Sequence, residues 1–304
     1  MSNTFTSFVS VVVPVYNDSE RLKICLASLE NQTYPKNLYE IIVVDNGSDD
    51  NLEELVCRFE QTAFTREDRP GSYAARNKGI SVAKGDIIAF TDSDCIPHSD
   101  WIESGVSNIL RIQNCGMVVG KIDIFFKKPN KPTAVEIYES IKSFKTRRYL
   151  EEGRHGVTAN LFTFKSVIAK VGFFNAALKS GGDVEWGKRV FSFGYQQIYA
   201  DNTCVAHPAR RSFGELYRKT TRVMGGLFDP KENTAYLLTG FSKDLINMAG
   251  SSLGLIKLFI FNRSPSEKFD GTRQKIEYVV VKAFVDLVRI FEKIRLTFGG
   301  RSRR

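Results

Sequence analysis

The chain has 304 residues, 42% apolar and 25% charged, the balance of an ordinary globular protein whose core is large enough to need no covalent staples. Its five cysteines, Cys25, Cys57, Cys95, Cys115 and Cys204, are scattered, odd in number and never spaced C-x-x-C, which argues against a disulfide framework or a paired-cysteine zinc site and for free thiols in a reducing cytosol. The net charge of +9 is concentrated: residues 251–304 hold twelve Lys/Arg against five Asp/Glu, so that segment carries +7 and the first 250 residues only +2. A nucleic-acid binder or a tail lying on an anionic membrane would both produce such a balance.

Val9 to Val13, β-branched except at Ser10 and closed by Pro14, predicts a strand buried on both faces, as in a parallel sheet. Leu22, Leu26 and Leu29 recur at helical spacing within 19–32, with Asp18 or Ser19 as the N-cap. Ile41 to Val44 predicts a second buried strand, followed by the turn-rich Asp45-Asn46-Gly47-Ser48-Asp49-Asp50 and a helix over 52–59. A further helix over 72–83 and a strand over 86–91 lead into Asp92-Ser93-Asp94. Strand and helix therefore alternate three times within the first hundred residues, the signature of a doubly wound, mostly parallel α/β sheet. Beyond it, 117–126 and 157–164 read as strands, and 133–150 and 182–193 as helices.

After about residue 214 the pattern turns helical and basic. Ile276, Val279, Val280, Ala283, Phe284, Leu287, Val288, Phe291 and Ile294 recur at helical spacing among Lys275, Lys282, Arg289, Lys293 and Arg295. This predicts a basic amphipathic helix suited to a lipid interface. The apolar run 253–261 is interrupted by Lys257 and falls short of the ~20 residues a spanning helix needs. No basic segment followed by an apolar run opens the chain, so no signal peptide is expected and the predicted location is cytoplasmic, peripheral on the inner face of the membrane.

In open α/β sheets ligands lie beyond the carboxyl ends of the strands. Three polar clusters occupy such ends: Tyr16-Asn17-Asp18, Asp45-Asn46 and Asp92-Ser93-Asp94. Each alone is an ordinary turn or cap, but three successive strand ends converging on one crevice make a site. Asp92-Ser93-Asp94 follows the apolar strand Ile87-Ile88-Ala89-Phe90, and alternate residues on an extended segment point the same way, so Asp92 and Asp94 can face one hard cation, Mg²⁺ or Mn²⁺, that also meets substrate phosphates.

The run Val11-Val12-Val13-Pro14-Val15-Tyr16-Asn17, then Val43-Val44-Asp45-Asn46-Gly47-Ser48-Asp49-Asp50, Ala75-Arg76-Asn77-Lys78-Gly79 and Phe90-Thr91-Asp92-Ser93-Asp94 follow one another in the order and at the spacing of family 2 glycosyltransferases, which residues 8–210 resemble. The resemblance implies a GT-A fold, a nucleotide-diphospho-sugar donor, a divalent metal and inversion at the anomeric carbon. It places Pro14, Tyr16 and Asp18 at the nucleoside, Asp45 at the base, Arg76 near the donor, Asp92 at the ribose and Asp94 on the metal. An inverting transfer needs a base for the acceptor hydroxyl. In Gly181-Gly182-Asp183-Val184-Glu185-Trp186, Asp183 matches the family's base, with Glu185 and Trp186 on the acceptor side and Gly182 standing where the family usually has Glu. Asp183 also reads as the N-cap of its helix. His207 matches a further metal ligand, and Arg210 and Arg211 are candidates to clamp diphosphate.

The implied division is a GT-A domain over 1–213, with a donor half over 1–100 and an acceptor half over 101–213, followed by a membrane-associating helical extension over 214–304. The only tryptophans are Trp101 and Trp186, so the Gln-x-x-Arg-Trp motif of processive synthases is missing and a single addition is favoured, to a glycan or lipid-linked acceptor with no nucleic acid as partner. A nucleotidyltransferase-like enzyme is a competing reading, although Val15-Tyr16-Asn17 offers no Gly-rich phosphate loop. A non-catalytic basic membrane or nucleic-acid binding module with a degenerate transferase fold is another.

Overall fold

The computed structural model describes residues 6–227 and 271–301. Two compact units emerge, one from Met1–Ile124 with Phe144–Pro208, the other from Phe125–Ser143 with Ala209–Arg304. Residues 125–143 thus join the second unit from inside the stretch that the sequence assigns to the first. The run 253–261 lies outside the described residues.

The first unit is built on β1 (Val9–Val15), β2 (Tyr39–Asp45), β3 (Thr62–Arg66), β4 (Ile87–Thr91), β5 (Ile96–Pro97), β6 (Cys115–Phe125), β7 (Asn160–Phe164) and β8 (Gln196–Pro208), the last residue of β6 belonging to the second unit. They form a sheet in the order β3-β2-β1-β4-β7-β6-β8-β5. β1, β2, β3 and β4 pair in parallel, whereas β7 runs antiparallel to β4 and β6, and β5 antiparallel to β8. The mixed, mostly parallel doubly wound sheet is the predicted fold class.

β1 shows why the sequence folds this way. Val9, Val11, Val12 and Val13 are fully buried, each contributing about 1.5–3 kcal/mol relative to exposure. Val9, Val11 and Val13 pack with Leu22, Leu26 and Leu29 of α1 (Ser19–Glu30) on one face. Val12 packs on the other with Tyr73, Ala75 and Ile80 of α3 (Ser72–Val82). α2 (Leu52–Val56) and α4 (Trp101–Arg111) join the α1 face, while α7 (Lys165–Val171) and α8 (Gly182–Ser192) join the α3 face. Gly79 lets α3 sit directly on the sheet, because a Cβ there would collide with Val12. Strand order reverses between β1 and β4, the switch point at which such sheets open a crevice.

The predicted helix 133–150 is two helices, α5 (Ala134–Lys142) and α6 (Thr146–Gly153), broken where Phe144 takes a left-handed φ of 50°. The edge strand β3 was not foreseen. It has no fully buried residue and no apolar run to betray it.

In the second unit, α5, α9 (Phe213–Leu227) and α10 (Thr272–Thr297) enclose a core of Val135, Tyr138, Leu216, Tyr278, Val281 and Val285. Helix α10 carries apolar residues on two faces. Tyr278, Val281, Val285, Val288 and Leu296 are buried, whereas Ile276, Val280, Leu287 and Phe291 remain exposed. Among the described residues no helix is long and apolar enough to cross a membrane.

Candidate active site

Three strand ends of the first unit meet at the switch point. At the end of β1, Asn17 adopts a left-handed φ of 50°, so its amide N–H donates to Ser48 Oγ at 2.8 Å and its side chain exchanges hydrogen bonds with Asp49. Asp45, at the end of β2, is almost wholly buried and accepts from the Ser48 amide at 2.9 Å, so its carboxylate closes the turn. Tyr16 is 48% exposed beside this junction, and Pro14 is half-buried. Asp18 takes the expected N-cap position of α1, but its side chain accepts no capping hydrogen bond and instead pairs with Arg21 Nε at 2.7 Å.

The third end differs from the extended geometry expected. β4 stops at Thr91, and the Cys95 amide bonds to the Asp92 carbonyl, so residues 92–94 form a turn. The alternation argument therefore does not apply, and the two carboxylates have different partners. Asp92 accepts from Arg76 Nη2. Asp94 lies 3.5 Å from Arg21 Nη1 and 3.5 Å from His207 Nε2. Arg76 is only 4% exposed and also donates to the Ser72 carbonyl, so it holds Asp92 in place rather than presenting a free guanidinium.

His207 is buried, with its ring against Phe144. Its Nδ1 lies 2.8 Å from the Pro208 carbonyl, which can only accept, so in the neutral ring Nδ1 carries the proton and Nε2 offers a lone pair toward Asp94. Two electron-pair donors facing each other at this distance fit a bound cation. Asp94, Cys95 and His207 place one ligand atom each within 4.8 Å of one another. Burial, followed by the charges of Asp92 and Asp94, pushes the Cys95 thiol well up. A hard divalent ion takes the oxygen and imidazole donors, Asp94 and His207, ahead of a thiol.

Asp183 lies in the first turn of α8, whose N-cap is Gly181 in the left-handed region, so it is not itself the cap. Its Oδ1 accepts from the Tyr73 hydroxyl at 3.1 Å and from the Val184 amide at 3.0 Å. Burial, and then the Asp183 charge, pushes the Tyr73 phenol up to about 12, which keeps it a donor at neutral pH. Tyr73 and Arg76 are one turn apart on α3, with the guanidinium 5.8 Å from the ring centroid. One helix therefore holds both Asp183 and Asp92. Tyr73 was not singled out in the sequence, although its i,i+3 spacing to Arg76 was a usable signal. The same ring explains Gly182: a Cβ there would lie 2.7–2.8 Å from three Tyr73 ring atoms, so no side chain fits while the phenol meets Asp183.

Trp186 corrects an expectation. It is fully buried, donates from Nε1 to the Gly172 carbonyl at 2.9 Å and packs on Phe174, so it has no face to offer an acceptor sugar. Its place is taken up by the core on the α3 face of the sheet, where it lies with Val171, Phe174 and Val190. Glu185 stays at the surface, paired with Arg189. Arg210 and Arg211 are likewise not diphosphate clamps. In the second unit Arg210 Nη1 lies 2.8 Å from Glu139 and Arg211 Nε lies 3.5 Å from Glu136, both glutamates being buried.

The model of the family described as "Glycosyl transferase family 2" matches residues 10–172. The chain belongs to glycosyltransferase family 2. It is 42% identical over 225 residues to the glycosyltransferase AglE of Haloferax volcanii, a match covering 72% of each chain. A 40% identical match to the glycosyltransferase GlyG of Streptococcus pneumoniae covers 33% of this chain and 34% of that relative. Among solved structures, the mannosyltransferase PcManGT from Pyrobaculum calidifontis, in complex with GDP-Man and Mn²⁺, superposes with a TM-score of 0.57 at 18% identity, covering 96% of this chain and 74% of that one. These likenesses give a GT-A fold and a transferase enzyme, and they set aside the nucleotidyltransferase-like and non-catalytic readings.

Proposed function

We propose that this transferase is inverting and metal-dependent, and moves a single sugar from a nucleotide-diphospho-sugar to a hydroxyl of a glycan or lipid-linked acceptor, with Asp183 as the base. The observation that carries the reading is the linkage Asp183–Tyr73–Arg76–Asp92, which ties a carboxylate at the start of α8 to the acidic turn after β4 through one helix. A base and a donor site must keep a fixed separation for in-line attack, and a shared rigid helix achieves that. Pro14, Tyr16, Asp18, Asp45 and Asp92 form the donor side, with Arg76 positioning Asp92. Glu185 remains on the acceptor side.

Asp94 and His207 Nε2 are the residues that would hold Mg²⁺ or Mn²⁺, in keeping with the Mn²⁺ of the PcManGT complex. When bound, such a cation stabilises negative charge on the departing nucleoside diphosphate. Asp183 takes the proton of the acceptor hydroxyl as its oxygen attacks the anomeric carbon, while Tyr73 keeps the carboxylate aimed.

In this reading residues 1–213 carry the transfer chemistry and 214–304 bring it to the cytoplasmic membrane face. The exposed apolar residues Ile276, Val280, Leu287 and Phe291, interleaved with Lys275, Arg289 and Lys293, support that placement. The test is turnover of a panel of nucleotide sugars with Mg²⁺ or Mn²⁺. Asp183→Asn is expected to lower kcat by roughly 10²–10⁴-fold without loss of donor binding, and Asp94→Ala to abolish the response to metal. Full activity of either variant overturns the assignment. Unchanged co-sedimentation of an I276S/V280S/F291S variant with anionic vesicles would remove the membrane role.

A further inference from the structure

A second group of metal-ligating side chains lies on the sheet apart from the acidic turn. β5 and β8 pair antiparallel, with Ile96 opposite Ala206 and Pro97 opposite Val205. Continuing that register sets His98 opposite Cys204, and the His98 amide donates to the Cys204 carbonyl at 3.1 Å. β6 is the other neighbour of β8 and brings Asp123, whose Oδ2 accepts from the Cys204 thiol at 3.2 Å. β6, β8 and the residue that follows β5 thus supply one carboxylate, one thiol and one imidazole, with ligand atoms all within 4.8 Å of one another. Side chains alternate across a strand, so Cys204 points to the face opposite Val205 and His207. The two groups are therefore separate, although only three residues divide Asp94 from His98.

We propose that His98, Asp123 and Cys204 form a binding site for a borderline-soft divalent cation of the zinc class. The donor set is the argument. Mg²⁺ and Mn²⁺ favour oxygen, whereas a thiolate with an imidazole selects zinc-like ions. At usual zinc bond lengths, a sulfur and an oxygen on a tetrahedral ion stand about 3.5 Å apart, close to the separation found here between Cys204 and Asp123. Three protein ligands with His98 exposed leave the fourth position to water. Binding forms a metal–sulfur bond and releases the thiol proton to buffer. Lys121 Nζ, 3.0 Å from Asp123 Oδ2, is the cation that the metal displaces. The bound ion fastens the two-residue strand β5, immediately after the acidic turn, to the edge of the sheet.

The test uses the full chain, stripped of metal under a non-thiol reductant and titrated with Co²⁺. A thiolate-to-cobalt charge-transfer band saturating at one equivalent is expected, reversed by Zn²⁺. Cys204→Ala should abolish the band, and His98→Gln, a change at an exposed residue that the fold tolerates, should weaken binding by about tenfold or more. Cys95→Ala should leave the band intact, and Lys121→Ala should tighten binding by removing the competing cation. No band in the unaltered protein, or a band that survives Cys204→Ala and vanishes in Cys95→Ala, overturns the proposal. So does Co²⁺ affinity that His98→Gln leaves unchanged.

Discussion

Replacing Gly182 by alanine adds a single methyl group at the point where α8 meets α3. That carbon would lie 2.7–2.8 Å from three atoms of the Tyr73 ring, so the ring must retreat by about 0.7 Å to reach ordinary contact. Little room exists, since Tyr73 is 6% exposed and its ring stacks on Phe174. Overpacking of this kind costs about 1–3 kcal/mol, offset by up to about 1 kcal/mol from the better helix propensity of alanine. A fall of a few degrees in Tm follows. The larger effect is on turnover. A shift of that size takes the Tyr73 hydroxyl, now 3.1 Å from Asp183, out of hydrogen-bond range. A hydrogen bond to a charged group contributes about 1.5–3 kcal/mol, so kcat should drop roughly 10- to 150-fold with the Kd for nucleotide unchanged. Tyr73→Phe isolates the hydroxyl, and should reproduce the loss of kcat with little change in Tm. The assay is steady-state release of nucleoside diphosphate alongside calorimetric titration of that nucleotide. Wild-type turnover by Tyr73→Phe would refute the claim that this phenol orients Asp183.

Arg76→Lys should weaken nucleotide binding roughly tenfold or more in calorimetric titration while the fold persists, because an ammonium cannot hold both Asp92 and the Ser72 carbonyl in the guanidinium's geometry. Trp186→Phe should lower Tm yet leave the KM for acceptor unchanged; a raised acceptor KM with normal stability would restore the stacking role. In the second unit, burial raises the Glu139 carboxyl, but Lys219 and Arg210 overcome it and hold the group down at about 2. A folded value below the unfolded one stabilises the protein above the ordinary carboxylate range, and that stability is lost as pH falls from about 4.5 toward 2. Burial draws the Lys219 ammonium down to about 8, so Glu139→Gln, which leaves that cation without its carboxylate, should lower Tm at pH 7 and flatten the acid limb of Tm against pH, read by calorimetry. An unchanged acid limb would show that the cluster does not control acid stability.

The sequence by itself determined the buried strands, because an unbroken run such as Ile41–Val44 has no solvent-facing residue and only a covered sheet accepts it. It likewise determined the three strand-end clusters, since Asp and Asn after a buried strand mark the turns over the crevice. Tertiary structure decided everything that depends on which partner a side chain meets. Residues at helical spacing on α10 reveal an apolar helix but not that Tyr278, Val281 and Val285 face α5 and α9 while Ile276, Val280 and Phe291 face outward. Trp186 looks like a sugar platform in Asp183-Val184-Glu185-Trp186 until the helix turns it into the core. Tyr73 and Asp183, 110 residues apart, and His98 and Cys204, brought together by an antiparallel ladder, leave no mark at either position. Periodicity records whether a residue is covered, whereas its chemistry depends on neighbours that only the folded chain supplies.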